Sequence, residues 1–496
     1  MIKRLILLLL LVVLGLAVAV VTNTWRTESR QLTVPAVQLP SVDAGAAATR
    51  LAGAIPFRTI SSTDDANQNS EEFAKLHAYL EKNFPRVHAT LQREVIGGNG
   101  LLYTWKGTDA KARPIALMAH QDVVPISPGT EKEWKAEPFG GEIKDGFVWG
   151  RGAWDNKSNL ISQMESVEAL LAAGFTPSRT VYLIMGHDEE VSGVRGAKAI
   201  ADTLKQRGVQ LQWVIDEGLV VTEGILPGMD SNAALIGVAE KGYATYYLTL
   251  DAAPGHSSMP PLKTTIGMMS TALARLEDKQ LPAAIRGVPA EMFETLAPEM
   301  HGLNRYLLSN LWLFRPVVQM QLEKSPNTNA TMRTTTALTI INAGNRDNVI
   351  PGQAQAAVNF RLIPGDTLDH VGQHVVETIA NDAIHVKMWP GAIEPSPVSP
   401  TDAPGYRAIN RSVRETFRNT VVAPGLMLAG TDSRYFVPVS DAIYRFSPVR
   451  ARSEDLSRFH GTNERISVAN YAEMIQFYQQ LLKNGAGPQS LAAPAQ

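Results

Sequence analysis

Three short, largely apolar runs, Ile115 to Met118, Val181 to Met185 and Trp213 to Ile215, have the length of buried strands. Each is followed by ionisable residues: His120 and Asp122 after the first, Glu189 and Glu190 after the second, Asp216 after the third. Between the first two runs, Asn159 to Ala173 has helical periodicity, with Leu160, Met164, Val167 and Leu171 on one face and Gly174 at the stop. Strands alternating with helices call for a mostly parallel, doubly wound α/β sheet. In such a sheet the ligand site lies beyond the carboxyl ends of the strands. The pattern therefore gathers these ionisable groups at one edge.

Composition sharpens the chemistry. The chain has no cysteine, which removes disulfides, thiolate ligands, a cysteine nucleophile and a lipoprotein anchor together. What remains in PIALMAHQD, GRGAWDNK and VYLIMGHDEEVSG is histidine and carboxylate, with Asp155 at the centre of the second motif. That is the ligand set of a catalytic zinc or cobalt site and not of a structural zinc knot. Any one of these residues alone is an ordinary polar group at a strand end; the ordered set asks for a metal. At 496 residues the chain is too long for one core and predicts two domains or more, and a net charge of -2 gives no reason to expect nucleic acid.

The N-terminus opens with Lys3 and Arg4, followed by an unbroken apolar run from Leu5 to Val21. Roughly 17 to 25 apolar residues span a bilayer, so this run sits at the short limit. Ala17-Val18-Ala19 also has the form of a signal-peptidase site. Two readings follow: a secretory signal that is removed, leaving a secreted or periplasmic enzyme, or a retained anchor with the catalytic part outside. The continuation of the run past the cleavage site favours the anchor. The Pro- and Ala-containing stretch that follows reads as a tether.

Further along, Tyr243 to Leu250 alternates as a half-buried strand, and the Pro-rich turn APGHSSMPP holds His256. Ala337 to Ile341 and Ala356 to Leu362 read as strands bracketing NAGNRDNVIPG, and Leu307 to Met320 is an apolar insertion. This mixed region has the pattern of an α+β unit inserted into the first.

The motifs LMAHQDVVP, GRGAWDNK, GHDEEVSG, VIDEG, GHSSMPP, NVIPG and FHGTNE, in that order, resemble the M20 family of metallopeptidases. WLFRPVV, RTTTALTIINAG and GTDSRYF resemble its carboxypeptidase S branch, and the likeness runs from about Ile55 to Leu482. Ahead of that stretch, the signal or anchor read above takes residues 1–22 and the tether 23–47. The pattern and the resemblance together give a catalytic domain in two parts, 48–240 and 394–484, with a lid and dimerisation domain at 241–393; the Ala-, Gly- and Pro-containing end, 485–496, reads as a disordered tail. The resemblance further implies two zinc ions per subunit, replaceable by cobalt. His120 and Asp216 would hold one, Glu190 and His460 the other, and Asp155 would bridge them.

In the same reading Glu189 is the general base, since adjacent residues on an extended segment point apart and leave one carboxylate free. Asp122 would orient His120. His256 would reach a partner subunit's site in a homodimer and stabilise the oxyanion. Arg361, with Asn348 beside it, would hold a substrate carboxylate, and the backbone around Gly430 and Thr431 would touch substrate. The implied activity is hydrolysis of an amide next to a free carboxylate. Short or N-blocked peptides would make the chain a carboxypeptidase, and N-acyl amino acids an aminoacylase. A metal-free binding homologue would have lost Glu189 or a ligand, and this chain retains them.

Overall fold

A computed structural model describes residues 1–488. Its central element among these residues is an eight-stranded sheet. In spatial order the strands are Gln92–Ile96, Gly100–Trp105, Val181–Gly186, Ile115–His120, Trp213–Thr222, Ile443–Ala451, Asn232–Glu240 and Thr420–Met427. Ile115–His120 runs parallel to both of its neighbours, and Trp213–Thr222 is also parallel to Ile443–Ala451.

Both faces are covered, and the period-two geometry of a strand shows how. Ile115, Leu117 and Ala119 enter one core with Leu160 and Met164 of helix Lys157–Ala172 and Tyr471 and Met474 of helix Val468–Ala486. Ala116 and Met118 enter the opposite core with Ile200 and Leu204 of helix Ala197–Gln206. This is the doubly wound arrangement that the alternation predicts. Each fully buried Leu or Met contributes about 1.5–3 kcal/mol, so the sheet centre is rigid ground for a site at its edge.

A second, antiparallel sheet holds Thr335–Ala343, Gln353–Leu362, Gly242–Asp251 and Ile384–Met388, in that order. Helices Thr265–Asp278 and Leu368–Ile379 pack on one face and close a separate core. The chain enters and leaves this unit side by side: Tyr243 and Ile393 exchange both backbone hydrogen bonds, at 2.9 and 2.7 Å. Gly242 permits that closeness, since a Cβ there would stand 2.6 Å from the Ile393 carbonyl. Helix Val288–Leu296 lies within the same stretch of sequence but packs elsewhere, with Leu296 against Val421 and Ala423 of the first sheet.

At the N-terminus, helix Ile2–Arg26 projects from the body, with Thr24 as its buried residue. The segment expected as a tether makes contacts with the body. The Gln31 side chain accepts from Val422 N–H at 2.8 Å and donates to the Val422 carbonyl at 2.9 Å, and Gln476 donates to the Pro40 carbonyl. At the other end the last helix extends to Ala486, into the stretch expected as tail; residues 489–496 lie outside the described residues.

Candidate metal centre

His120 ends its strand, and its imidazole is fixed from both sides. Nδ1 faces the Asp122 carbonyl at 3.0 Å and the Asp122 carboxylate at 3.2 Å, which leaves Nε2 to point at Asp155 Oδ1, 3.0 Å away. The other Asp155 oxygen lies 2.8 Å from His460 Nε2. Asp155 thus stands between two histidines that are far apart in sequence. Glu190 Oε2 approaches His460 Nε2 at 3.3 Å, while its Oε1 is buried without a hydrogen-bond partner.

The pair Glu189 and Glu190 departs from the expected geometry. The segment Glu189–Val191 is a tight 3-10 turn and not an extended strand. Asp122 holds that turn: its buried carboxylate accepts the Glu189 N–H at 3.2 Å, the Glu190 N–H at 3.1 Å and the Ser61 hydroxyl at 2.6 Å. Both glutamates therefore reach the cluster, from different sides. Potential ligand atoms of His120, Asp155 and Glu190 lie within 4.8 Å of one another, and so do those of His120, Glu189 and Glu217.

Asp216 is not in either group. Strand Trp213–Thr222 continues through this position, so Asp216 and Glu217 face opposite sides of the sheet. The Asp216 carboxylate accepts from the Glu217 N–H and the Ser433 N–H, both at 2.9 Å. Glu217 Oε1 is the group that faces His120 Nε2, at 3.4 Å, and its other oxygen accepts from the Asn156 amide. On this geometry Glu217 occupies the place that the sequence reading gave to Asp216. The residue was in view in VIDEG; only the parity of the strand decides between the two.

A buried pair not singled out from the sequence locks the loops together. Glu464, in FHGTNE, accepts from the Trp154 and Asp155 N–H groups at 2.8 and 2.9 Å. Its partner Arg151 donates to the His460 and Gly461 carbonyls.

The protonation preferences describe a site built for cations. Hydrogen bonds donated to Asp155, then to Glu190, push His460 up to about 10. Burial works against a charge on His120, but Glu217, Asp122 and Asp155 together outweigh it and hold the imidazole well above its usual value. Burial pushes Glu217 up to about 8, with the Asp155 charge adding to the shift and His120 opposing it. Burial, then the Glu217 charge, raises Glu189 well above the carboxylate range. Several carboxylates share one pocket with two imidazoles, and dications relieve that crowding.

The remaining expected residues lie outside the cluster. Arg361 stacks 4.7 Å over the Tyr243 ring and has no ion-pair partner among the described residues. Arg434, of GTDSRYF, is close enough to Arg361 to depress its proton affinity further beyond the effect of burial. It has no carboxylate within salt-bridge distance among the described residues; its Nη2 donates to the Ser192 carbonyl at 2.9 Å, and it lies against Gly430, where a Cβ would stand 2.7 Å from its Nη1. Thr431 spends its N–H and its hydroxyl on the buried Glu240, at 3.0 and 2.9 Å. His256 is exposed and bonds Ser258 within its own turn, and Ser257 N–H donates to the Asn348 carbonyl, which brings His256 and Asn348 together at one tip of the second sheet.

Comparison with known proteins gives a consistent set of relatives. The model of "Peptidase family M20/M25/M40" matches residues 116–484. The chain is 42% identical over 438 residues to the N-fatty-acyl-amino acid synthase/hydrolase PM20D1 of Xenopus tropicalis, covering 88% of this chain and 85% of that one. It is 37% identical over 481 residues to the probable carboxypeptidase S-like 2 of Dictyostelium discoideum, covering 95% and 92%. Among solved structures, the M20 family metallo-carboxypeptidase Sso-CP2 from Sulfolobus solfataricus shares the fold with a TM-score of 0.65 at 18% identity, over 89% of this chain and 99% of that one.

Proposed function

The chain belongs to peptidase family M20/M25/M40 and is a hydrolase, and from that premise we propose that it cleaves an amide bond next to a free carboxylate, with short or N-blocked peptides as substrates. The observation that carries the reading is Asp155 held between His120 and His460, with the half-buried Glu189 carboxylate beside them. His120, Asp155 and Glu217 on one side, and Asp155, Glu190 and His460 on the other, form two donor sets that fit two zinc ions, with cobalt as a substitute. When bound, such ions polarise the scissile carbonyl and make water acidic.

The chain's own residues supply the rest. Glu189 takes the proton from the attacking water and returns it to the leaving amine, so that amide and water become acid and amine. Asp122 keeps Glu189 and Glu190 in register through their N–H groups. Arg361, which has no ion-pair partner among the described residues, suits a substrate carboxylate, with the Arg434 guanidinium close by. His256, on the exposed tip beside Asn348, donates to the oxyanion of a partner's site, while Gly430 lets Arg434 lie close.

The dimer that His256 requires forms through the second sheet. Its edge strand Thr335–Ala343 leaves Ile340 53% and Ile341 54% exposed, and such an edge is a ready pairing surface. Residues 1–22 act as a retained anchor with the body outside the cytoplasm; the helix Ile2–Arg26 is long and apolar enough to cross a membrane.

A second reading, hydrolysis of N-acyl amino acids, is favoured by the likeness to the animal N-fatty-acyl-amino acid synthase/hydrolase. The two share one chemistry and differ in the acyl-side pocket. Zinc-dependent turnover by protein lacking residues 1 to 30 tests both, with N-blocked dipeptides in one panel and N-acyl amino acids of increasing chain length in the other. Preference for dipeptides supports the carboxypeptidase, and turnover that climbs with acyl length supports the alternative. Zinc-loaded protein that cleaves neither panel overturns the substrate class.

A further inference from the structure

The first helix meets the body at a polar knot. Asn310 is fully buried between helices Gly302–Ser309 and Leu311–Leu322. Its amide donates to Thr24 Oγ1 at 2.8 Å and to the Val20 carbonyl at 3.3 Å, and Asn23 donates back to the Ser309 carbonyl at 2.7 Å. The knot fixes a depth. The apolar run Leu5 to Val21 is about 25 Å long as a helix, a little short of the ~30 Å hydrocarbon core of a bilayer. As a membrane span, its last turn stands at the outer border of the hydrocarbon, and Asn310 is bonded to that turn. The two helices that flank Asn310 are then held where acyl chains give way to headgroups.

Their surfaces suit that level. On the inner side Leu311 and Phe314 pack against a small core containing Phe293 and Val318. On the outer side Leu303 is 71%, Tyr306 37%, Trp312 59%, Val317 52% and Met320 59% exposed. Arg315 is exposed as well and has no ion-pair partner among the described residues. Apolar and aromatic side chains with a free cation are the composition of a helix that lies in a membrane interface, where Trp and Tyr settle at headgroup level.

We propose that helices Gly302–Ser309 and Leu311–Leu322 form a second membrane contact, an amphipathic pair seated in the outer interface beside the anchor. It fixes how the body sits on the bilayer, and it rests on the reading of Ile2–Arg26 as a retained anchor. Arg315 faces lipid phosphate, and Val317 and Met320 lie among the first carbons of the acyl chains.

The absence of cysteine makes the test direct. The full chain is reconstituted into phosphatidylcholine and phosphatidylglycerol vesicles with a single spin label at Val317→Cys, Met320→Cys or, as control, exposed Lys111→Cys. Collision with oxygen is then compared with collision with a water-soluble nickel chelate. The expected result is an oxygen-to-nickel ratio several-fold higher at 317 and 320 than at 111. Equal ratios in vesicle-bound protein overturn the proposal, as does dipolar broadening that places a second copy over the face. Loss of the protein from vesicles in a carbonate wash removes the anchor and overturns it too. Turnover of a soluble dipeptide by the same labelled proteins reports separately on the proposed activity.

Discussion

Arg151 Nη1 and Glu464 Oε2 lie 2.6 Å apart with both side chains buried, and this pair joins the loop that carries Asp155 to the loop that carries His460. Glu464 accepts the Asp155 N–H, and Arg151 donates to the His460 carbonyl, so one ion pair sets the separation of two groups that face each other across the cluster. Removing one partner strands a buried charge. Arg151→Met is expected to cost about 3–5 kcal/mol of stability. It is also expected to weaken metal affinity by roughly 10–100-fold, the usual penalty for losing a group that orients a ligand. Thermal unfolding and zinc titration read both; unchanged zinc affinity in folded protein would count against the role.

Glu217 and Asp216 make opposite predictions. If Glu217 is the group that completes the His120 side, Glu217→Gln lowers bound zinc from two ions per chain toward one. Asp216→Asn, whose carboxylate faces the Ser433 N–H, leaves the count intact. Elemental analysis of dialysed protein separates them. The reverse pattern would restore Asp216 to the ligand set.

Glu189→Gln keeps the size of the side chain but cannot accept a proton. Turnover should fall by about 10²–10⁴-fold, the range for loss of a general base. Metal content should stay the same. Full activity in the variant would remove Glu189 from the chemistry.

Proton and metal compete at His460. In the metal-free protein the imidazole holds its proton up to about pH 10, because Asp155 and then Glu190 accept from it. Metal needs the neutral ring, so apparent affinity climbs with pH, by up to about tenfold per unit for each proton displaced, and levels off near pH 10. The sign for metal-free stability is opposite: the imidazolium's contribution is whole below about pH 6.5 and is lost as pH rises through about 10. Calorimetry at pH 7 in buffers of different ionisation enthalpy counts the protons released on loading. Zero release contradicts the assignment.

The sheet and the gathering of the cluster were legible in the sequence because both follow from short-range patterns. Strand length, helix periodicity and the residue just after each strand are local properties, so the placement of His120 and of the Glu189–Glu190 pair at one sheet edge could be read directly. The choice between Asp216 and Glu217 could not, because it turns on which face of a strand looks inward, and VIDEG supplies both carboxylates in succession. The turn at Glu189–Val191 was missed for a related reason: Asp122, from the loop after another strand, holds it. The Thr431 donors are another long-range case, since a buried carboxylate distant in sequence accepts from both of them. Arg151 and Glu464 stand more than 300 positions apart, and pairing at that range leaves no local trace.

The strap that Gln31 makes with Val422 has a further consequence. Thr420–Met427 is the last strand of the central sheet, and its outer rim carries backbone groups that no neighbouring strand satisfies. A side-chain amide offers the same donor and acceptor as a peptide unit, so Gln31 imitates one residue of a missing strand and stops there. Such a mimic blocks the rim without extending it, which is how native sheets avoid recruiting strands from other molecules. Processing that removed Gln31 along with the leader would leave the enzyme's active centre whole while turning that rim into a seed for aggregation.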